Sequence, residues 1–232
     1  MSKHGIGIFR LKRILPLDTL IAWSLKCAGL YKRGIENFKD IRVVENRLRL
    51  PNVPASFSGI RLLHLSDLHL DLHPGLTDVI IDRINPLDYD VALITGDFCD
   101  SPKLALSVAL TESLKVIRAL RAPVIGVLGN HDPIEIAPCL EAAGARILLN
   151  ENWRLRRGGD SLFFAGVDDP TYFRTEDIER ARRGIDAEST AILLSHGPSI
   201  YREAAAAGFG AMLSGHTHGG QICLPGGFPP VT

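Results

Sequence analysis

Short apolar runs alternate along this chain with segments that carry apolar residues at helical spacing. The alternation predicts a layered α/β domain, because elements of these two periods bury their apolar faces against each other. The predicted strands are 60–66, 91–95, 124–128, 146–149, 153–155, 162–166, 191–195, 211–214 and 221–224. The predicted helices are 76–84, 103–120, 134–143, 176–183 and 199–207.

Polar residues stand directly behind four of these strands. They are Asp67, Asp97, Asn130 and His196. Open α/β sheets bind their ligands in the crevice outside the carboxyl ends of the strands. The four residues are therefore expected to converge, although the polar motifs span about 150 residues of sequence.

The residue types of these motifs indicate a metal site. Asp67 and His69 are two residues apart at a strand end, so both side chains can leave on the same side. A carboxylate and an imidazole together suit a borderline divalent ion. The pattern returns as Gly96-Asp97, as the run 129–132 (Gly-Asn-His-Asp) and as the run 215–218 (Gly-His-Thr-His).

Composition limits the class of protein. The 232 residues are 46% hydrophobic and 22% charged. Because the formal net charge is zero, the whole chain carries no global signature of nucleic-acid binding. Residues 1–50 nevertheless hold eleven Lys or Arg against four Asp or Glu, so a basic head on an acidic body is expected to meet an anionic surface. The four cysteines form no C-x-x-C pair, which favours reduced thiols in a cytosol-facing protein and leaves zinc-thiolate binding as a minor alternative.

The N-terminal segment, residues 1–58, is predicted to contain an amphipathic helix that opens after Pro16 and an edge strand near residues 41–44. Asp18 and Lys26 interrupt the apolar run, so it is a poor transmembrane span. Two interpretations stay open for the helix: it lies on an anionic membrane with Trp23 at the boundary, or it packs on the protein's own surface. The second domain is predicted to cover residues 59–232.

In their order and spacing, the five motifs resemble the calcineurin-like metallophosphoesterase family from about Ile60 to Leu224. The start at 66–69 and the finish at 213–221 look closest to a bacterial branch of membrane-associated phosphodiesterases and UDP-2,3-diacylglucosamine pyrophosphatases. The resemblance implies a sandwich of two mixed β-sheets flanked by helices. Relatives in this branch usually continue beyond the position of Thr232, so either C-terminal strands are missing or the domain ends differently.

The resemblance also implies two divalent metal ions. Asp67, His69 and His218 would hold one ion, and Asn130, His196 and His216 the other. Asp97 would bridge them, which suits two cations about 3.5–4 Å apart because they need an anionic group between them. Imidazole and carboxamide ligands favour Mn, Fe, Zn or Co over Ca, with Mn the first choice.

The implied catalytic residues are Asp97 and His131. A water that bridges the metals would lose a proton and attack phosphorus in line with the leaving group. His131 would stabilise a phosphoryl oxygen or protonate the leaving alkoxide, oriented by the carboxylate of Asp132 or Asp100. His64 is interpreted as structural, and the run 168–170 either caps a helix or faces substrate, with the cap preferred.

The predicted function is therefore hydrolysis of a phosphodiester or diphosphate that is lipid-linked or nucleotide-linked. We expect a cytoplasmic protein, peripheral on the inner membrane through residues 1–35, with no specific nucleic-acid partner. Two alternatives remain: a non-catalytic metal-binding interaction module on the same fold, and a mononuclear hydrolase of another ester.

Overall fold

The computed structural model describes residues 17–100 and 106–219, and for residues 17–19 it describes the backbone only. These residues fall into two compact units that divide between Val43 and Val44. The first unit is a pair of helices, and the second contains two four-stranded sheets.

The first unit consists of α1 (Leu17–Cys27) and α2 (Tyr31–Lys39). Gly29 joins them in the left-handed conformation, where its N–H reaches the carbonyl of Lys26. The helix predicted to open after Pro16 is thus confirmed. Among the residues that the structure describes, no helix is long and apolar enough to cross a bilayer.

The first sheet is parallel throughout its described part, in the order β1-β2-β3-β4. Parallel neighbours need long crossovers, and helices supply them. In chain order the elements are β1 (Leu62–Leu65), α3 (Leu76–Ile84), β2 (Val91–Thr95), α4 (Leu106–Ala119), β3 (Val124–Val127), a 3₁₀ turn (Ile134–Ile136), α5 (Ala137–Ala142) and β4 (Ala145–Ile147).

The second sheet is mixed and has the order β5-β6-β7-β8. β5 and β6 form an antiparallel hairpin, and the other pairs are parallel. The elements are β5 (Glu151–Arg157), β6 (Asp160–Gly166), α6 (Ile178–Arg182), β7 (Ala191–Leu194), a 3₁₀ turn (Pro198–Ile200), α7 (Tyr201–Ala206) and β8 (Ala211–Leu213).

The two sheets pack face to face around one apolar core. Alternate residues of each strand enter it because side-chain direction repeats every two residues. Its buried members are Phe57, Val91, Leu93, Ile125, Val127, Leu148, Leu162, Phe164, Ile192 and Leu194. The other face of the second sheet packs on α6 and α7 through a second cluster that includes Phe163, Leu193 and Ala204. The α/β class and the two sheets flanked by helices are confirmed, but within the described residues only the second sheet is mixed, since helical crossovers make the first one parallel.

The strand predicted in the N-terminal segment is wrong. The structure has no strand at residues 41–44, where Val43 and Val44 are 53% and 73% exposed and no neighbouring strand supplies a hydrogen-bond ladder. Leu50 and Val53 pack against the sheet core, and Phe57 lies within it. The predicted strand at 221–224 lies outside the described residues.

Candidate metal centre

The predicted site residues meet at one edge of the molecule, where strands of both sheets end. β1, β2 and β3 lead to it from the first sheet, and β7 and β8 from the second. The structure places there all eight residues that the sequence singled out: Asp67, His69, Asp97, Asn130, His131, His196, His216 and His218.

Asp67, His69 and His218 form the first group of ligand atoms, all within 4.8 Å of one another. Nε2 of His218 lies 3.3 Å from Oδ1 of Asp67 and 3.4 Å from Nε2 of His69. The two imidazole rings are stacked with centroids 5.2 Å apart. This is the set that the resemblance assigns to one metal.

Asn130, His196 and His216 form the second group. Oδ1 of Asn130 lies 2.9 Å from Nε2 of His196 and 2.9 Å from Nδ1 of His216. Oδ2 of Asp97 lies 3.3 Å from Nε2 of His196 and 3.6 Å from Nε2 of His69, so this carboxylate stands between the two groups. That is the position a bridging ligand requires.

Backbone carbonyls orient two of the imidazoles from behind. Nδ1 of His196 lies 2.8 Å from the carbonyl of Thr95, and Nδ1 of His69 lies 3.1 Å from that of Cys99. A carbonyl only accepts, so both Nδ1 atoms carry a proton, and Nε2 is the atom of each ring that would offer a lone pair to a metal. Lone pairs of imidazole, amide and carboxylate then converge, an arrangement that a divalent cation fits.

The charges of the site shift several pKa values. Burial opposes ionisation of Asp97, but a hydrogen bond and charge from His196 outweigh it and lower the pKa of that carboxyl. Burial likewise opposes charge on His196, yet Asp97 raises the pKa of the imidazole. Burial lowers the pKa of His69 and of His216, which keeps these two rings in the neutral form that binds metal.

Five of these residues adopt a left-handed backbone conformation, which sets the direction of their side chains. The φ angles are 52° at Asp67, 40° at His69, 55° at Asp97, 70° at His216 and 49° at His218. A run of such residues is uncommon outside functional sites.

Two glycines provide the clearance between these turns. A Cβ at Gly129 would overlap the Asp97 carboxylate, and one at Gly215 would overlap Ser66 and the Asp67 carboxylate. The N–H of His216 donates to the same Asp67 carboxylate at 3.0 Å. Close backbone approach, which only glycine permits, therefore brings the first and last motifs together.

His131 lies beside the first group, with its ring centroid 5.5 Å from that of His69. Its N–H donates to Oδ1 of Asp97 at 3.0 Å. The prediction that a carboxylate orients its ring is wrong: Nδ1 lies 2.6 Å from the backbone carbonyl of Asp100. The Asp132 carboxylate is instead buried, where it accepts the N–H of Gly129 at 2.9 Å and that of Cys99 at 3.2 Å.

Other residues of the site were not evident in the sequence. The carbonyls of Thr95 and Cys99 leave no signal there, because every residue has a carbonyl.

His64 is structural as predicted, with Nε2 2.8 Å from the Thr95 hydroxyl. Asp169 caps a turn, not a helix, by accepting the N–H groups of Tyr172 and Phe173 at 2.6 and 2.7 Å.

Comparison with known proteins finds a phosphoesterase family model and relatives that are named for a metallophosphoesterase domain. Residues 60–220 match the family model described as calcineurin-like phosphoesterase. A Bos taurus protein named "transmembrane protein with metallophosphoesterase domain" is 33% identical over 191 residues, which are 73% of this chain and 43% of that protein. The Danio rerio protein of the same name is 31% identical over 202 residues, 78% of this chain and 45% of that protein.

A bacterial relative is matched over more of its length. The uncharacterized metallophosphoesterase YkoQ of Bacillus subtilis is 28% identical over 207 residues, 84% of this chain and 74% of that protein. The chain thus spans less than half the length of the two vertebrate relatives.

Proposed function

Since this chain belongs to the calcineurin-like phosphoesterase family, we propose that it hydrolyses phosphodiester or diphosphate bonds with the help of two divalent metal ions. The observation that carries the proposal is the position of Asp97. Its Oδ2 lies 3.3 Å from His196 and 3.6 Å from His69, between two separate groups of ligand atoms.

In the proposed centre, Asp67, His69 and His218 would hold one ion, Asn130, His196 and His216 would hold the other, and Asp97 would contact both. The donor set of imidazole, amide and carboxylate fits manganese first, with iron, zinc and cobalt as alternatives. When bound, a pair of such ions supplies an activated water and neutralises charge on the phosphoryl oxygens.

The chain's own residues would position the substrate and give a proton to the leaving group. The hydrogen bond from His131 Nδ1 to the Asp100 carbonyl fixes the ring and leaves Nε2 as the atom that can protonate a leaving oxygen. Cys99 is no nucleophile, because burial and the neighbouring Asp132 raise the pKa of its thiol. We therefore propose direct hydrolysis by water, without a covalent intermediate.

The test is hydrolysis of bis-p-nitrophenyl phosphate against p-nitrophenyl phosphate by metal-stripped protein resupplied with manganese. We expect metal-dependent cleavage of the diester, and a loss of at least about a hundredfold in Asp97→Asn and in His131→Ala. Bound metal is counted in the same samples.

Each contrary result has a distinct meaning. Two bound ions without turnover of either ester would favour a non-catalytic interaction module. One bound ion with turnover would favour a mononuclear hydrolase. Preference for the monoester would overturn the diester assignment.

We propose further that the substrate is lipid-linked or nucleotide-linked, as in the branch with UDP-2,3-diacylglucosamine pyrophosphatases. The excess of seven basic residues in 1–50 supports contact between residues 1–35 and an anionic membrane, with the protein peripheral on the cytoplasmic face. Leu20, Ile21 and Trp23 of α1 are 53%, 49% and 63% exposed, which suits an interfacial helix.

Sedimentation with vesicles tests this contact. The wild type is expected to bind phosphatidylglycerol vesicles better than neutral ones and to be released by high salt. Trp23→Ser together with Leu20→Ser should reduce binding. Equal binding to neutral vesicles, or no change in the variant, would contradict the proposal.

A further inference from the structure

The loop that follows β6, residues 168–177, begins at the same sheet edge as the candidate metal centre. β6, β7 and β8 are parallel, so their carboxyl ends share that edge. Thr171 and Pro170 close over Gly197, the residue after His196. The charge of Asp169 also acts on the His216 imidazole. The loop is therefore adjacent to the second group of ligands.

Two buried polar residues pin this loop. Oδ1 of Asn150 accepts the N–H groups of Asp168 and Asp177 at 3.1 and 2.8 Å, and its amide donates to the carbonyl of Thr175 at 2.8 Å. Asp169 is 1% exposed and accepts three backbone N–H groups. The two ends and the tip are thus held from inside the domain, which fixes what the loop presents to solvent.

The pinned loop presents two aromatic rings. Tyr172 is 65% exposed and Phe173 is 54% exposed, and they meet edge to face with centroids 5.0 Å apart at 85°. Flexible aromatic residues would turn inward to bury their rings, but the hydrogen bonds of Asp169 to both N–H groups hold this tip in place. Rigid, exposed aromatic rings beside a polar site are typical of ligand binding.

We infer that Tyr172 and Phe173 form a stacking platform for the planar base of a nucleoside-linked phosphoester, with the base flat on one ring and its edge against the other ring, which stands at 85° to the first. This inference rests on the proposed function, since the phosphoryl group would lie in the metal centre and the base on the rings. An acyl chain gains most inside an apolar groove, whereas the neighbours Thr171, Arg174 and Thr175 are polar and exposed. A base needs only one flat face.

The experiment compares two esters that release the same p-nitrophenol. Thymidine 5′-(p-nitrophenyl phosphate) carries a base, and methyl p-nitrophenyl phosphate does not. The wild type should prefer the thymidine ester in kcat/KM. Changing Tyr172→Ala together with Phe173→Ala should cost about tenfold on the thymidine ester, mostly in KM, and less than twofold on the methyl ester.

A matched variant separates stacking from simple apolar contact. Tyr172→Leu with Phe173→Leu keeps apolar area but removes both π-faces, so it should lose as much thymidine selectivity as the alanine pair. Tyr172→Phe should retain it. A dodecyl p-nitrophenyl phosphate arm reports on acyl recognition: retention of dodecyl turnover by the leucine pair and its loss in the alanine pair would overturn the base assignment.

The outcomes distinguish this inference from the function beneath it. If no ester is cleaved in any metal, the proposed hydrolysis itself fails. If both esters are cleaved with metal and the variants lower them equally or not at all, hydrolysis stands and the stacking platform is excluded.

Discussion

At the scale of single residues, the predicted ligands occupy backbone conformations that side chains avoid. A left-handed residue other than glycine costs about 1–2 kcal/mol, and five of the ligands adopt one. Hydrogen bonds in neighbouring turns hold them there, among them those from the N–H of Asp67 to Gly96 and from the N–H of His69 to Asp97. Such turns leave little space for a side chain, so Gly129 and Gly215 should be sensitive to substitution.

Gly129→Ala should damage the centre although it replaces none of the proposed ligands. The new Cβ would overlap the Asp97 carboxylate, so we expect at least about tenfold weaker manganese binding and a loss of about 1–3 kcal/mol in the free energy of unfolding. Isothermal titration and urea denaturation measure both. Gly159→Ala is the control, because a Cβ there meets no atom within 4 Å. Unchanged affinity in Gly129→Ala would contradict the clearance argument.

Asp132 gives the metal-free protein a pH-dependent stability. Burial raises the pKa of its carboxyl to about 6. A carboxyl whose pKa is higher in the folded state binds its proton more tightly there, so the contribution of Asp132 to stability is greatest below about pH 4 and falls as pH rises through about 6. A shift of this size corresponds to about 3 kcal/mol.

Asp132→Asn should remove this dependence. Even when protonated, the carboxyl carries a lone pair on the oxygen that faces Gly129 and on the one that faces Cys99, whereas the amide nitrogen accepts no hydrogen bond, so the variant is less stable at low pH. The difference from wild type should shrink between about pH 4 and 7 in urea unfolding of metal-stripped protein. A difference that is constant with pH would rule out this titration.

At the scale of elements, one buried side chain connects three parts of the loop after β6. Asn150 has a φ of 59° and makes hydrogen bonds to Asp168, Thr175 and Asp177. Asn150→Ala should lower the free energy of unfolding by about 2–4 kcal/mol, because it leaves buried groups unpaired and puts Ala in a left-handed position. Urea denaturation measures the loss.

Asn52 provides the matched control for that change. It has the same φ of 59° but is exposed, so Asn52→Ala should cost only the backbone term of about 1 kcal/mol. Equal losses in the two variants would show that the hydrogen bonds of Asn150 contribute nothing.

The positions of the strands along the chain and of the ligands behind them were predictable, because apolar runs and the residues that follow them are local signals. Asp67, Asp97, Asn130 and His196 needed only that reasoning. The strand expected at 41–44 failed since pairing depends on a partner that the local pattern does not contain. The orientation of His131 by the Asp100 carbonyl was equally out of reach, because backbone groups carry no residue identity.

At the scale of the whole molecule, the ligands tie both sheets together. Asp67 and Asp97 come from the first sheet, and His196 and His216 from the second. Metal should therefore bind the folded state alone and stabilise it.

Manganese at a hundred times its dissociation constant should add about 2.7 kcal/mol to the free energy of unfolding for each site. Urea denaturation with manganese or with chelator measures the difference. Asp97→Asn should lose most of it, whereas Asp88→Asn, at a side chain 87% exposed in a salt bridge with Arg61, should keep it. The same gain in both variants would mean that metal binds elsewhere.

The contact between the His216 N–H and the Asp67 carboxylate joins positions 149 residues apart. At 5–20 residues per second, a ribosome needs roughly 7–30 s to make the intervening chain. During that interval β1 to β3 can form with Asp67 and Asp97 in place, while the histidines that complete both groups do not yet exist. Metal loading is thus postponed until His216 and His218 have been made, and a nascent chain stalled before Gly215 would expose an acidic, half-built centre to whichever cation is most abundant.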